Sequence, residues 1–87
     1  MKFEDSYFSR DARYSIGIES ASGRHYLAIP VSNGITDYEE YYELTLEQYG
    51  EFLTDTKAAT SFAESVRRHE RDENLIQTPG ANRGTPA

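Results

Sequence analysis

The sequence predicts an α+β fold, a three-stranded antiparallel β-meander with two C-terminal helices packed on one face. Three observations carry this. The runs RYSIGIE (13–19) and HYLAIPVS (25–32) distribute their side chains with the period of a strand. An Asn33-Gly34 pair, a strong hairpin signal, separates the second run from a third. From Thr45 onward the apolar spacing changes from two residues to that of a helix.

Residues 1–12 place Phe3, Tyr7 and Phe8 among charges, a spacing that fits a short amphipathic turn and an irregular arm equally well. The first strand then sets Tyr14, Ile16 and Ile18 on one side and Ser15 and Gly17 on the other, and SASG supplies turn residues. In the second strand Leu27, Ile29 and Val31 share one face, with Tyr26, Ala28 and Pro30 opposite. A two-residue loop at Asn33-Gly34 would put Pro30 where a ladder N–H is wanted, so a longer loop or a bulge is expected. Loops of two and four residues give the same facing, with Tyr38, Glu40, Tyr42 and Leu44 beside the core and Glu39, Tyr41 and Glu43 on the back with Tyr26. Gly17, Tyr26 and Tyr41 then form a row on the back in which an aromatic ring shields the backbone at a glycine.

Thr45 and Gln48 fit a capping box, and Leu46, Tyr49, Phe52 and Leu53 fall on one side of the helix that follows. Gly50 costs this helix about 1 kcal/mol relative to Ala, so it should be short. Asp55 is the expected N-cap of a second helix that buries Ala58, Ala59, Phe62, Ala63 and Val66, with Arg67, Arg68 and Arg71 at its dipole-favoured end. The chain thus reads as a single domain over 1–74, including the N-terminal arm 1–12, with a Pro/Gly-rich tail over 75–87. The tail, LIQTPGANRGTPA, carries two Pro and two Gly in thirteen residues. Leu75 and Ile76 are placed to tuck it onto the domain. The rest reads either as a disordered end or as a segment folding Arg83 back near the acidic surface.

Eighty-seven residues bury about 60% of the surface of the unfolded chain, which leaves little room for an enclosed active site beside a core. No apolar run approaches the roughly 20 residues of a membrane span, and MKFEDSYFSR lacks a signal-peptide centre, so a cytoplasmic location without membrane contact is expected. The absence of cysteine excludes disulfides and thiolate metal sites. His25 and His69 stand in no relation to a serine nucleophile, and the glycines match no phosphate-binding loop. Glu39 and Glu43 lie about 13 Å apart at roughly 3.3 Å per residue, too far to share one ion. The reading is a non-enzymatic chain without cofactor or metal.

Charge supplies the functional signal. The chain has 15 acids and 9 bases, and DYEEYYELTLEQYGE (37–51) holds six acids, four tyrosines and no base, leaving nine acids against nine bases elsewhere. That argues against nucleic acid and favours a cationic partner or none. Tyrosines give an interface rigid area, and acids steer its encounter. Asp37, Glu39, Glu40, Tyr41, Glu43, Glu47, Glu51 and Tyr26 are the candidate partner-binding residues. The plainer reading is an edge strand protected by charge, followed by the wet side of a helix.

The segment HYLAIPVSNGITDYEEYYELT, followed by a helical stretch and ended by QTPGANRGTPA, resembles small immunity proteins of bacterial contact-dependent growth inhibition and polymorphic toxin systems. The resemblance implies stoichiometric neutralisation of one cognate toxin in the cytosol of the producing cell, with no catalytic motif to carry over. A nuclease-type toxin fits the electrostatics, since its active site must be positive to hold phosphates. A monomer is expected when free. The alternative is a small regulatory or scaffold domain that self-associates, or binds partners, through an exposed strand edge.

Overall fold

The computed structural model describes residues 1–77 and 83–86. In chain order it comprises β1 (Phe3–Ser9), β2 (Tyr14–Glu19), β3 (His25–Ser32), β4 (Asp37–Leu44), α1 (Leu46–Thr54), α2 (Thr56–Arg67), a 3-10 turn (Asp72–Asn74) and β5 (Thr85–Pro86). The class is α+β, as expected. The sheet, however, has four strands in sequence order rather than three, all antiparallel, and β5 adds to β3 as a fifth.

The additional strand is the N-terminal arm. Its pairing slips between Asp5 and Tyr7, so that Phe3, Asp5 and Phe8 stand opposite Glu19, Gly17 and Ser15. A bulge of this kind shifts parity by one, placing all three on the same face at a spacing of two and then three. The expected alternation is therefore hidden in the sequence.

Each turn is held by a polar side chain, Ser9, Glu19 or Asn33, that accepts from backbone amides of the turn. Glu19 is buried, and its carboxylate accepts from the Ser22 hydroxyl (2.6 Å) and from the amides of Ser22 (2.8 Å), Ala21 (2.9 Å) and Lys2 (2.9 Å). The Ser22 hydroxyl, then the Lys2 and Ala21 amides, hold its pKa down to about 2. Between β3 and β4 the loop has four residues, closed by the Asn33 amide on the Thr36 carbonyl (3.2 Å), with Gly34 at φ 86. Pro30 is accommodated because β2 leaves β3 after Ala28 and β5 joins it only at Val31.

One face of the sheet contributes Tyr14, Ile16, Leu27, Ile29, Val31, Tyr42 and Leu44 to the core, and Phe52, Ala59, Phe62, Ala63 and Val66 from the helices close over them. Burying a side chain such as Phe62 or Val66 stabilises by about 1.5–3 kcal/mol. The capping box forms as read: Gln48 N–H donates to the Thr45 hydroxyl (3.0 Å) and Thr45 N–H to the Gln48 side chain (2.9 Å). Asp55 ends α1 and caps α2, so one residue separates the helices. With so short a helix, Phe52 and Tyr49 make the contact while Leu46 and Leu53 stay exposed, contrary to the expected apolar side. Arg67 does more than complement the helix dipole, for its Nη2 donates to the carbonyls of Ala12 and Arg13, both at 2.6 Å. This ties α2 to the β1–β2 turn, where Arg13 has φ 55. No described helix is long and apolar enough to cross a membrane.

Candidate interaction surface

The helical residues of the core all meet one face of the sheet. On the other, β1 contributes Phe3, Asp5 and Phe8; β2 Ser15 and Gly17; β3 Tyr26, Ala28 and Pro30; and β4 Asp37, Glu39, Tyr41 and Glu43. Its centre is aromatic. The Phe3 and Tyr41 rings stack at 3.5 Å and 11°, and Tyr26 meets both edge-on, at 5.3 Å from Phe3 and 5.0 Å from Tyr41. Beneath the stack Tyr26 is fully buried and lies across Gly17, where a Cβ would stand 2.5 Å from its Oη and collide with the Glu4 carbonyl. The ring can cross the strand only because position 17 has no side chain.

The four-residue loop places Tyr26 opposite Glu43 and Tyr41 opposite Ala28. The expected row from Gly17 through Tyr26 to Tyr41 is therefore diagonal rather than straight. The Tyr26 hydroxyl donates to Asp5 at 2.5 Å, and burial followed by that bond pushes its pKa well above the usual tyrosine range.

Carboxylates surround this centre. Partial burial and the neighbouring charge of Asp5 raise the pKa of Glu39, while a hydrogen bond from Tyr41 (3.5 Å) opposes the rise. Burial, then the charges of Glu39 and Asp5, push Tyr41 up to about 12. Glu43 faces Arg24 across 3.9 Å, an exposed pair of little energetic weight. Toward the β1–β2 turn the surface dips into an open cavity of about 450 Å³ between Phe8, Pro30, Tyr14, Glu39 and the two arginines Arg10 and Arg13.

Comparison with family models, curated proteins and solved structures finds no match to this chain.

Of the candidate residues, Asp37, Glu39, Tyr41 and Glu43 share the back of β4, with the three acids exposed and Tyr41 half-buried. Two candidates do not reach the surface. Tyr26 is on the expected face but has no exposed area, because Phe3 and Tyr41 cover it. Glu40 points to the helix side and is only 7% exposed, held by Arg83. Glu47 and Glu51 are exposed on α1, in the helical layer, and thus lie apart from the β4 acids. Phe3, Asp5 and Phe8 were not among the candidates, their only trace in the sequence being three aromatics, Phe3, Tyr7 and Phe8, set among charges in the arm. Among the described residues no group of three or more His, Asp or Glu is arranged to hold a metal ion.

Proposed function

We propose that the chain is an immunity-type protein that neutralises a cognate cationic toxin domain of the nuclease kind, covering it with the back of the sheet. The observation that carries this reading is the line Asp37, Glu39, Tyr41 and Glu43 along one face of β4, with Asp5 and the Phe3–Tyr41 stack beside it. Arg10 and Arg13, which line the cavity, and Arg24, which faces Glu43, come from the turns at the two ends of β2. A surface with a rigid aromatic centre surrounded by acids suits a basic partner: the acids speed encounter and the rings supply buried area at low entropic cost. The action is stoichiometric binding rather than catalysis, carried out in the cytosol by a chain that is monomeric when free. Glu47 and Glu51 add to the long-range attraction without touching the same patch. Co-purification with the product of the adjacent gene tests the reading. A stable one-to-one complex supports it, and a neighbour with no toxin-like domain contradicts it.

One observation favours the rival, self-association by strand extension. The outer edge of β1 carries no partner strand among the described residues, whereas the Ile76 amide donates to the Tyr41 carbonyl (2.9 Å) and blunts the β4 edge. The bulge and the charged Glu4 and Asp5 on β1 oppose such pairing. Sedimentation at several concentrations separates the two, with a monomer expected.

A further inference from the structure

Arg83 and Gly84 bond to side chains on the helix side of the sheet, in a groove whose walls come from distant parts of the chain, and Thr85–Pro86 join the sheet itself. One guanidinium serves two carboxylates there. Arg83 donates to Glu40 through Nε (2.7 Å) and Nη2 (3.0 Å), and to Asp72 through Nη1 (2.8 Å) and Nη2 (3.0 Å). Nη2 also reaches the Tyr42 hydroxyl at 3.2 Å, and that hydroxyl donates to Glu40 at 2.7 Å. Both carboxylates are thus engaged by the two-pronged geometry that a guanidinium has and an ammonium lacks.

The next residue meets a different constraint. The Gly84 amide donates to the Tyr38 hydroxyl at 2.6 Å. A Cβ at Gly84 would run into the Ser32 carbonyl and stand 2.7 Å from Cγ1 of Val31, so the slot admits only a residue without a side chain. Thr85 and Pro86 then pair with Ser32 and Val31, on the edge of β3 that β2 leaves open beyond Ala28. A forked acidic socket, a slot for glycine and an open strand edge are the ingredients of sequence-specific recognition by strand addition.

We propose that this groove is a peptide-binding site specific for an extended Arg-Gly segment, filled in cis by Arg83 and Gly84. Its walls, Ser32, Tyr38, Glu40, Tyr42 and Asp72, belong to β3, β4 and the 3-10 turn. The site therefore stands independently of the toxin-facing surface on the back of the sheet. Two acids set at an inward and a peripheral position find their use here, in selecting arginine.

The test empties the groove in the full chain with the double substitution R83A/G84V and titrates it with three peptides, Arg-Gly-Thr-Pro-Ala, Lys-Gly-Thr-Pro-Ala and Arg-Val-Thr-Pro-Ala. The first should bind at least about tenfold more tightly than either of the others, since each competitor loses one of the two recognition elements. Equal binding of the lysine peptide, or no binding of the arginine peptide, overturns the proposal. If the double variant does not fold, the single variants decide. R83K should lose most of the thermal midpoint that R83A loses, and an R83K midpoint equal to that of the parent chain overturns the arginine-specific site.

Discussion

Phe3 and Tyr41 stack at 3.5 Å although they belong to β1 and β4, the outer strands of the four-strand order. With neighbouring strands about 4.8 Å apart, rings from strands three positions distant meet only when long side chains lean inward over a curled sheet. Gly17 makes room for the Tyr26 ring that meets both of them edge-on from beneath. The back of the sheet is thus a small second core with charged margins, not a solvated reverse side.

Removing the upper ring tests that description. Phe3→Ala should cost about 1–3 kcal/mol from lost area and ring contacts. It should also let Tyr41 titrate below its present value of about 12, because burial is the chief cause of that elevation. Phenolate absorbance during an alkaline titration reads the second effect, and an unchanged titration would contradict the stack as the source of burial.

Gly17→Ala attacks the same core from below. The new methyl would meet the Tyr26 ring and the Glu4 carbonyl, so strand β1 or the ring must move. Overpacking of this kind costs about 1–3 kcal/mol. Chemical denaturation should show this loss, whereas Gly50→Ala, inside α1 where a Cβ meets nothing within 4 Å, should gain up to about 1 kcal/mol.

Arg83 neutralises a carboxylate on the apolar side of the sheet. Glu40 is 7% exposed, Arg83 20% and Asp72 41%, so solvent screens the Asp72 contact but hardly the Glu40 one. Arg83→Ala should cost about 3 kcal/mol by leaving Glu40 buried without its cation. Each kcal/mol lowers the melting point of a domain this size by about 4–8 °C. The double variant E40L/R83L should recover most of the loss, since a well-packed apolar pair can replace a buried ion pair.

The same cluster shapes the acid limb of stability. Burial pushes the Glu40 pKa up, but hydrogen bonds from Arg83 and Tyr42 outweigh it and the net shift is downward. Asp72 is lowered chiefly by its Arg83 hydrogen bond. A carboxylate whose folded pKa lies below its unfolded value stabilises fully above the unfolded value and loses that contribution as pH falls through the folded one. The melting point should therefore hold near neutrality and fall below about pH 4, the ordinary carboxylate range. Glu19 gives way last, near its folded pKa of about 2. Glu39 has the opposite sign, for partial burial and Asp5 raise its pKa and protonation relieves the penalty as pH falls. In R83A the Glu40 and Asp72 part of the limb should flatten while the Glu19 part persists, and parallel curves for variant and parent would contradict the assignment.

Much of this is legible in the chain, and the rest is hidden for identifiable reasons. The facing of β2, β3 and β4 follows from a period of two, and the start of each helix from Thr45 with Gln48 and from Asp55. β1 is obscured because its bulge puts Phe3, Asp5 and Phe8 on one face with broken spacing. Glu40 at an inward position announces the need for a cation, yet its partner stands 43 residues away, where no local rule reaches. In the candidate surface, alternation brings Asp37, Glu39, Tyr41 and Glu43 together. The burial of Tyr26 is unforeseen because Phe3, which covers it, comes from the strand that could not be read.

Association kinetics test most directly the proposal that the back of β4 receives a cationic toxin. The cognate toxin should bind the E39K/E43K variant with an association rate lower by about 10-fold or more and with a weaker salt dependence, while the melting point stays within a few degrees of the parent. Unchanged association, with the parent's salt dependence retained, would place the binding surface elsewhere on the molecule.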